Sequence, residues 1–164
     1  MHFRKHQLLT AKSGFTLIEV LLAVVIVGTV LTAIATTLTG TVKNAAESRY
    51  RTRATTLSQE GLEFFTRERQ LEGWGDFQAF FPNGTTTYCV ADLPNAGQLA
   101  TLSVGACATG QGIDEPGVEF LRQAVVTKDP AKPGQIDVVV NVSWIDGTLT
   151  PTVLLERIYR QTDS

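Results

Sequence analysis

The chain has 164 residues, with 14 Lys and Arg against 16 Asp and Glu, and 43% of it is hydrophobic. That length accommodates one membrane helix and one small domain. The acidic balance argues against nucleic-acid binding, which carries a basic footprint. Both histidines stand at the extreme N-terminus, His2 and His6. Nothing beyond them can serve Ser-His or Cys-His catalysis or a His-ligated metal, so we expect no enzyme, no metal site and no cofactor.

Residues 1–14 form a short leader carrying Arg4, Lys5 and Lys12 and closing on Gly14. Phe15-Thr16-Leu17-Ile18-Glu19 follows, and then a stretch without a formal charge from Val20 to Val42. A carboxylate in hydrocarbon costs about 2.5–3.5 kcal/mol on insertion scales, so one placed at the head of such a segment points to a use. Two plainer readings exist. Ala33-Ile34-Ala35 offers a signal-peptidase site, but the apolar stretch before it exceeds the usual ~7–15 residues and Glu19 interrupts it. A simple single-pass anchor is also possible, because ~20 apolar residues suffice to span a bilayer.

Basic leader, Gly-Phe, glutamate and long apolar helix, in that order, resemble the prepilin signal of type IV pilins and type II secretion pseudopilins. The resemblance implies that a prepilin peptidase cuts between Gly14 and Phe15 and methylates the new amino group of Phe15. It implies that Glu19 pairs with the amino terminus of a neighbouring subunit during assembly, two charges that are each costly alone in lipid. The processed chain would hold 11 basic and 16 acidic residues, a net of −5. The flanking charges do not decide topology, because Lys43, Arg49, Arg51 and Arg53 follow the span closely. The resemblance implies a cytoplasmic leader and an exported C-terminal part. Major pilins often carry a helix-breaking proline where this chain has Thr36, which favours a minor pilin or pseudopilin. Gly28 and Gly40 lie within the apolar part with several threonines, small residues that permit close helix approach.

The helix is expected to run on past the membrane. No proline occurs from Ala46 to Leu71, and Ala, Leu, Glu, Gln and Arg are frequent. Tyr50, Ala54, Leu57, Gly61 and Phe64, extended by Leu71, form an apolar stripe on one face, the expected seat of a head domain. A helix from Phe15 to Glu72 would be roughly 87 Å long. Gly73-Trp74-Gly75 and Pro82-Asn83-Gly84 are read as ending it. Trp74, Phe77, Phe80 and Phe81 then form either the floor of a core or a partner surface.

The turn-rich segment 85–116 holds the only cysteines, Cys89 and Cys107. With the exported topology that the resemblance implies, they would form a disulfide; free buried thiols are the alternative. Asp92, Asp114 and Glu115 read as solvated acids. Val118–Val126 is a strand or a short helix. Ile136, Val138, Val140, Val142 and Trp144 alternate with other residues at a period of two, Asp146-Gly147 supplies a hairpin turn, and a last strand runs from Thr152 to Tyr159.

The expected architecture is α+β, a long N-terminal helix with its first half transmembrane and a C-terminal antiparallel sheet head, as in pilins. Its expected parts are the leader 1–14, the membrane or filament-core helix 15–42, the amphipathic continuation 43–72 and the head 73–164. The expected role is a structural subunit, a minor pilin of a type IV pilus-like filament. A pseudopilin of a secretion or competence system, or an anchored binding module that does not polymerise, are the alternatives. Expected partners are other pilins or pseudopilins, prepilin peptidase, a platform membrane protein, an assembly ATPase and membrane lipid. The expected location is the inner membrane before assembly, then an extracytoplasmic or cell-surface filament.

Overall fold

A computed structural model describes residues 16–162. Helix α1 is assigned from Leu17 to Phe80, and six strands follow: β1 Gly84–Cys89, β2 Ser103–Val104, β3 Ile113–Glu115, β4 Val118–Lys128, β5 Gln135–Trp144 and β6 Thr152–Arg160. The architecture is α+β and pilin-like, one long N-terminal helix followed by an antiparallel sheet. The chain separates into two compact units, Met1–Ala46 and Glu47–Ser164.

In the first unit, α1 is long and apolar enough to cross a bilayer. From Leu17 to Val42 it covers roughly 39 Å at 1.5 Å per residue, against a hydrocarbon core of about 30 Å. Its Leu, Val and Ile residues from Leu17 to Val42 are each at least half exposed. The threonines do not break the helix, because each of five turns its hydroxyl back onto the preceding turn. Thr29 Oγ1 donates to Ile26 O at 2.8 Å, Thr32 to Gly28 O at 2.8 Å, Thr36 to Ala33 O, Thr37 to Ala33 O and Thr41 to Thr37 O, the last three at 2.9 Å. This is the usual way for a helical threonine to satisfy its hydroxyl.

In the second unit the remainder of α1 lies on one face of the sheet. The stripe works through Phe64: Ala54, Leu57 and Phe64 are buried, and so is Gly61. Leu71 departs from the expectation, being 59% exposed. The position one turn after Phe64 is taken instead by a fully buried carboxylate, Glu68. The helix breaks two residues after Leu71, at Gly73, with φ of 77° and ψ of 170°. A second helical piece then runs to Phe80, short of Pro82 and beyond the end expected at Gly73-Trp74-Gly75. This piece turns Phe77 and Phe81 fully into the core, with Trp74 and Phe80 partly buried against it. The aromatic cluster is therefore core floor, its rings meeting edge to face at 5.2 Å between Phe77 and Phe81.

The strand order is β2-β1-β4-β5-β6, every pairing antiparallel, with β3 folded back on β4. Segment 118–128 is thus a strand, and the open choice between strand and helix resolves to sheet. Alternation puts Phe120, Ala124 and Val126 of β4 on the helix-facing side with Ile136, Val138, Val140, Val142 and Trp144 of β5. Each such large apolar side chain contributes about 1.5–3 kcal/mol when fully buried.

At Gly61 the helix comes close to the sheet. A Cβ there would stand 2.9 Å from Val140 Cγ1 and 3.3 Å from Val140 Cγ2. Val140 is fully buried and β-branched, so it has no easy alternative rotamer. Gly61→Ala is expected to destabilise the head by about 1–2 kcal/mol, the overpacking outweighing the ~1 kcal/mol gained in helix propensity. Denaturant titration checks it, and a stabilised variant would show the contact to be looser than described.

Candidate functional site

The functional signal of this chain is concentrated at the start of α1. Glu19 stands in its first turn, exposed, with its backbone N–H donating to Thr16 O at 3.0 Å. A carboxylate in the first helical turn lies beside the partial positive charge of that turn's unpaired N–H groups. Past it, the described side chains carry no charge until Lys43. Glu19 is therefore a single anion at the end of an apolar rod surface with no cation from its own described residues beside it. Gly14 and Phe15, the expected cleavage and methylation positions, lie outside the described residues.

Residues 9–35 match the model of the prokaryotic N-terminal methylation motif. The chain carries the prepilin-type signal of type IV pilins and pseudopilins. No curated protein and no solved structure matches it. The motif spans the leader's end, the Gly-Phe pair, Glu19 and the apolar helix as far as Ala35. The matched motif is that of a structural pilin type, not of an enzyme family. It implies processing by prepilin peptidase and assembly with other pilins, and the signal with its apolar helix fits membrane anchoring beforehand.

Away from the prepilin signal, the head holds three fixed points that determine the surface it presents. Cys89 and Cys107 are joined in a disulfide with Cα atoms 4.7 Å apart, 18 residues apart in sequence. Arg122 is buried, with 3% of its surface exposed, on the helix-facing side of β4. Its Nε donates to Val90 O at 2.7 Å, Nη2 to Ala91 O at 2.9 Å, and Nη1 to Leu57 O at 3.1 Å and Glu60 Oε2 at 3.2 Å. Burial pushes its pKa below the usual guanidinium value, and Glu60 works against that. Glu68 is the third point, accepting from Gly97 N at 3.0 Å and lying 3.4 Å from Arg67 Nε.

Together these groups tie the segment 89–107 to α1 and β4. Sequence reading found the cysteines but not Arg122 or Glu68. Each sits at a position where the pattern demanded an apolar residue: Arg122 between Phe120 and Ala124, and Glu68 one turn beyond Phe64. A charge interrupting a buried period was the available signal. Of the acids read as solvated, Glu115 pairs with Arg53 Nε at 2.8 Å, while Asp92 lines an open cleft of about 530 Å³ beside the disulfide, with Leu93, Thr101 and Gln111.

Proposed function

We propose that the chain is a minor pilin, a structural subunit processed between Gly14 and Phe15, methylated on Phe15, and drawn from the inner membrane into a type IV pilus-like filament on the cell surface. The observation that carries the reading is Glu19. It stands alone in the first turn of a helix that is otherwise apolar and outward-facing, four residues after the position where processing would create a new amino terminus. A neighbour's Phe15 ammonium is the cation that such a carboxylate lacks, and pairing removes much of the cost of holding either charge in lipid. The platform membrane protein and assembly ATPase would supply the work.

A pseudopilin role shares this reading. Unbroken helix at Thr36 supports either of the two over a major pilin, whose proline would interrupt it. The cleft beside the disulfide is where an anchored binding module would take its ligand.

The test is the intact mass and N-terminal residue of the protein from membranes and from sheared surface material. A chain beginning at methylated Phe15 in the sheared fraction is the expected result. Recovery only of chains that retain Met1 or begin at Thr36 would sink it. Glu19→Gln, inserted normally, is expected to lower the sheared yield tenfold or more, about 1.4 kcal/mol of lost pairing per subunit or greater.

A further inference from the structure

We infer that the free edge of β6 is a docking site for an extended segment of a different polypeptide, added to the sheet as one more strand. The inference is independent of whether the chain enters a filament.

The hydrogen-bond parity of the sheet fixes which groups face outward. Trp144 N donates to Pro151 O and Gln161 N to Gly134 O, so the odd-numbered residues of β6 bond to β5. Antiparallel pairing alternates, which turns the N–H and C=O of Thr152, Leu154, Glu156 and Ile158 away from the sheet. No group among the described residues bonds to them. Further along, the Arg160 carbonyl is already held, accepting from Arg69 Nη2 at 2.6 Å.

The opposite edge is treated differently. There, the outward groups of β1 are covered at Thr87 by Gly105 N at 2.8 Å and at Cys89 by its pairing with Ser103. The covering strand β2 is two residues long and offers almost no edge of its own. Strand β6 is nine residues long, and between Thr152 and Arg160 it contains no proline and pairs with β5 without a bulge. It lacks the short-strand, proline and bulge devices that proteins use to blunt an edge, and keeps only charges, Glu156, Arg157 and Arg160, which discriminate among partners. Apolar side chains accompany it on the outer face, Leu154 at 60% and Ile158 at 39% exposure. Val139 of β5 lies between them in the register, opposite Glu156.

A row of alternating N–H and C=O groups is complemented by one partner chemistry, another extended backbone. The charges choose which. Glu156 on the outer face asks for a cation opposite it, and Arg157 on the inner face, whose Nη1 donates to the neutral Thr66 Oγ1 at 2.9 Å, takes an anion across from it. A second copy of β6 fits poorly. Two-fold pairing centred on Glu156 or Arg157 sets like charges against each other, and pairing centred on Leu155 leaves Glu156 opposite Leu154. Only the register centred on Ile158 brings a cation, Arg160, across from Glu156, and that register needs the carbonyl that Arg69 holds. The occupant is thus a non-identical strand with an acid and a base at adjacent positions flanked by apolar residues.

The probe is a labelled, end-capped peptide, Thr-Val-Asp-Lys-Val-Val-Thr, titrated into the full chain in detergent micelles. Saturable binding is expected, with slowed amide exchange at Leu154, Glu156 and Ile158. Leu154→Pro removes only an outward N–H and keeps the β5 ladder complete, so it should weaken binding about tenfold at unchanged melting temperature. Exchanging Asp and Lys in the peptide should weaken it as well. If Leu154→Pro melts early, the exchange pattern of the unaltered chain decides alone. Absence of saturation at several millimolar peptide, or protection elsewhere, would overturn the inference. So would protection of these three amides by self-association without peptide, which would give the edge to a second copy.

Discussion

Arg122→Ala is expected to lower the stability of the head by about 3–5 kcal/mol, the range for breaking a buried, fully hydrogen-bonded charge network. The guanidinium is the single group that reaches Val90 O, Ala91 O, Leu57 O and Glu60 at once. Its loss leaves buried carbonyls short of a cationic donor and opens a void beside Gly61, whose Cβ position would lie 3.5 Å from Arg122 Cδ. Glu60→Gln should cost much less, under about 1 kcal/mol, because that side chain is 43% exposed and Arg122 keeps its carbonyl partners. Urea titration of the chain in detergent, followed by Trp74 and Trp144 fluorescence, measures both. Equal effects from the two variants would mean that the ion pair, not the carbonyl staple, holds the site.

Removing the disulfide is the second large effect. Cys89→Ser with Cys107→Ser, or reduction of the unaltered chain, is expected to cost about 3 kcal/mol for a loop of this length in the chain-entropy account. The loop should nevertheless stay docked in the folded state, since Glu68 still receives Gly97 N and Arg122 still holds Val90 and Ala91. The two perturbations share the segment 89–91, so their combined cost should differ from the sum of the separate ones. The same titration with and without reductant gives the number. A change below about 0.5 kcal/mol would show that the loop's other ties already restrain the unfolded chain.

Much of this architecture could be read from residue order because burial leaves a period. The stripe Tyr50 to Phe64 and the alternation Ile136 to Trp144 are the clearest examples, and both emerge as the facing layers of the core. The reading failed where a local break or a charge disturbed the period. Gly73 turns the chain out of the helix, so the piece up to Phe80, set between glycines and a proline, shows no continuation of the period, and Leu71 just before the break is exposed. Arg122 made β4 ambiguous, because a cation on the buried face looks like a strand out of phase. Strands β2 and β3 have two and three residues, too few to show any period. At the N-terminus the situation reverses. The prepilin signal is a matter of residue identity and spacing, so it was legible before any fold was known.

The threonines of the first unit carry a consequence for transfer between environments. Thr29, Thr32, Thr36, Thr37 and Thr41 each give their hydroxyl proton to a carbonyl of the same helix. None of these hydroxyls relies on water, lipid headgroup or a neighbouring chain as acceptor. A helix built this way is indifferent to its medium: moving it from acyl chains into a protein-lined interior requires no exchange of these five hydrogen bonds. Among the described residues from Leu17 to Val42, the free-energy change of that passage then turns on apolar packing and on the fate of one carboxylate, Glu19, the charged coordinate along which the segment can tell one surrounding from the other.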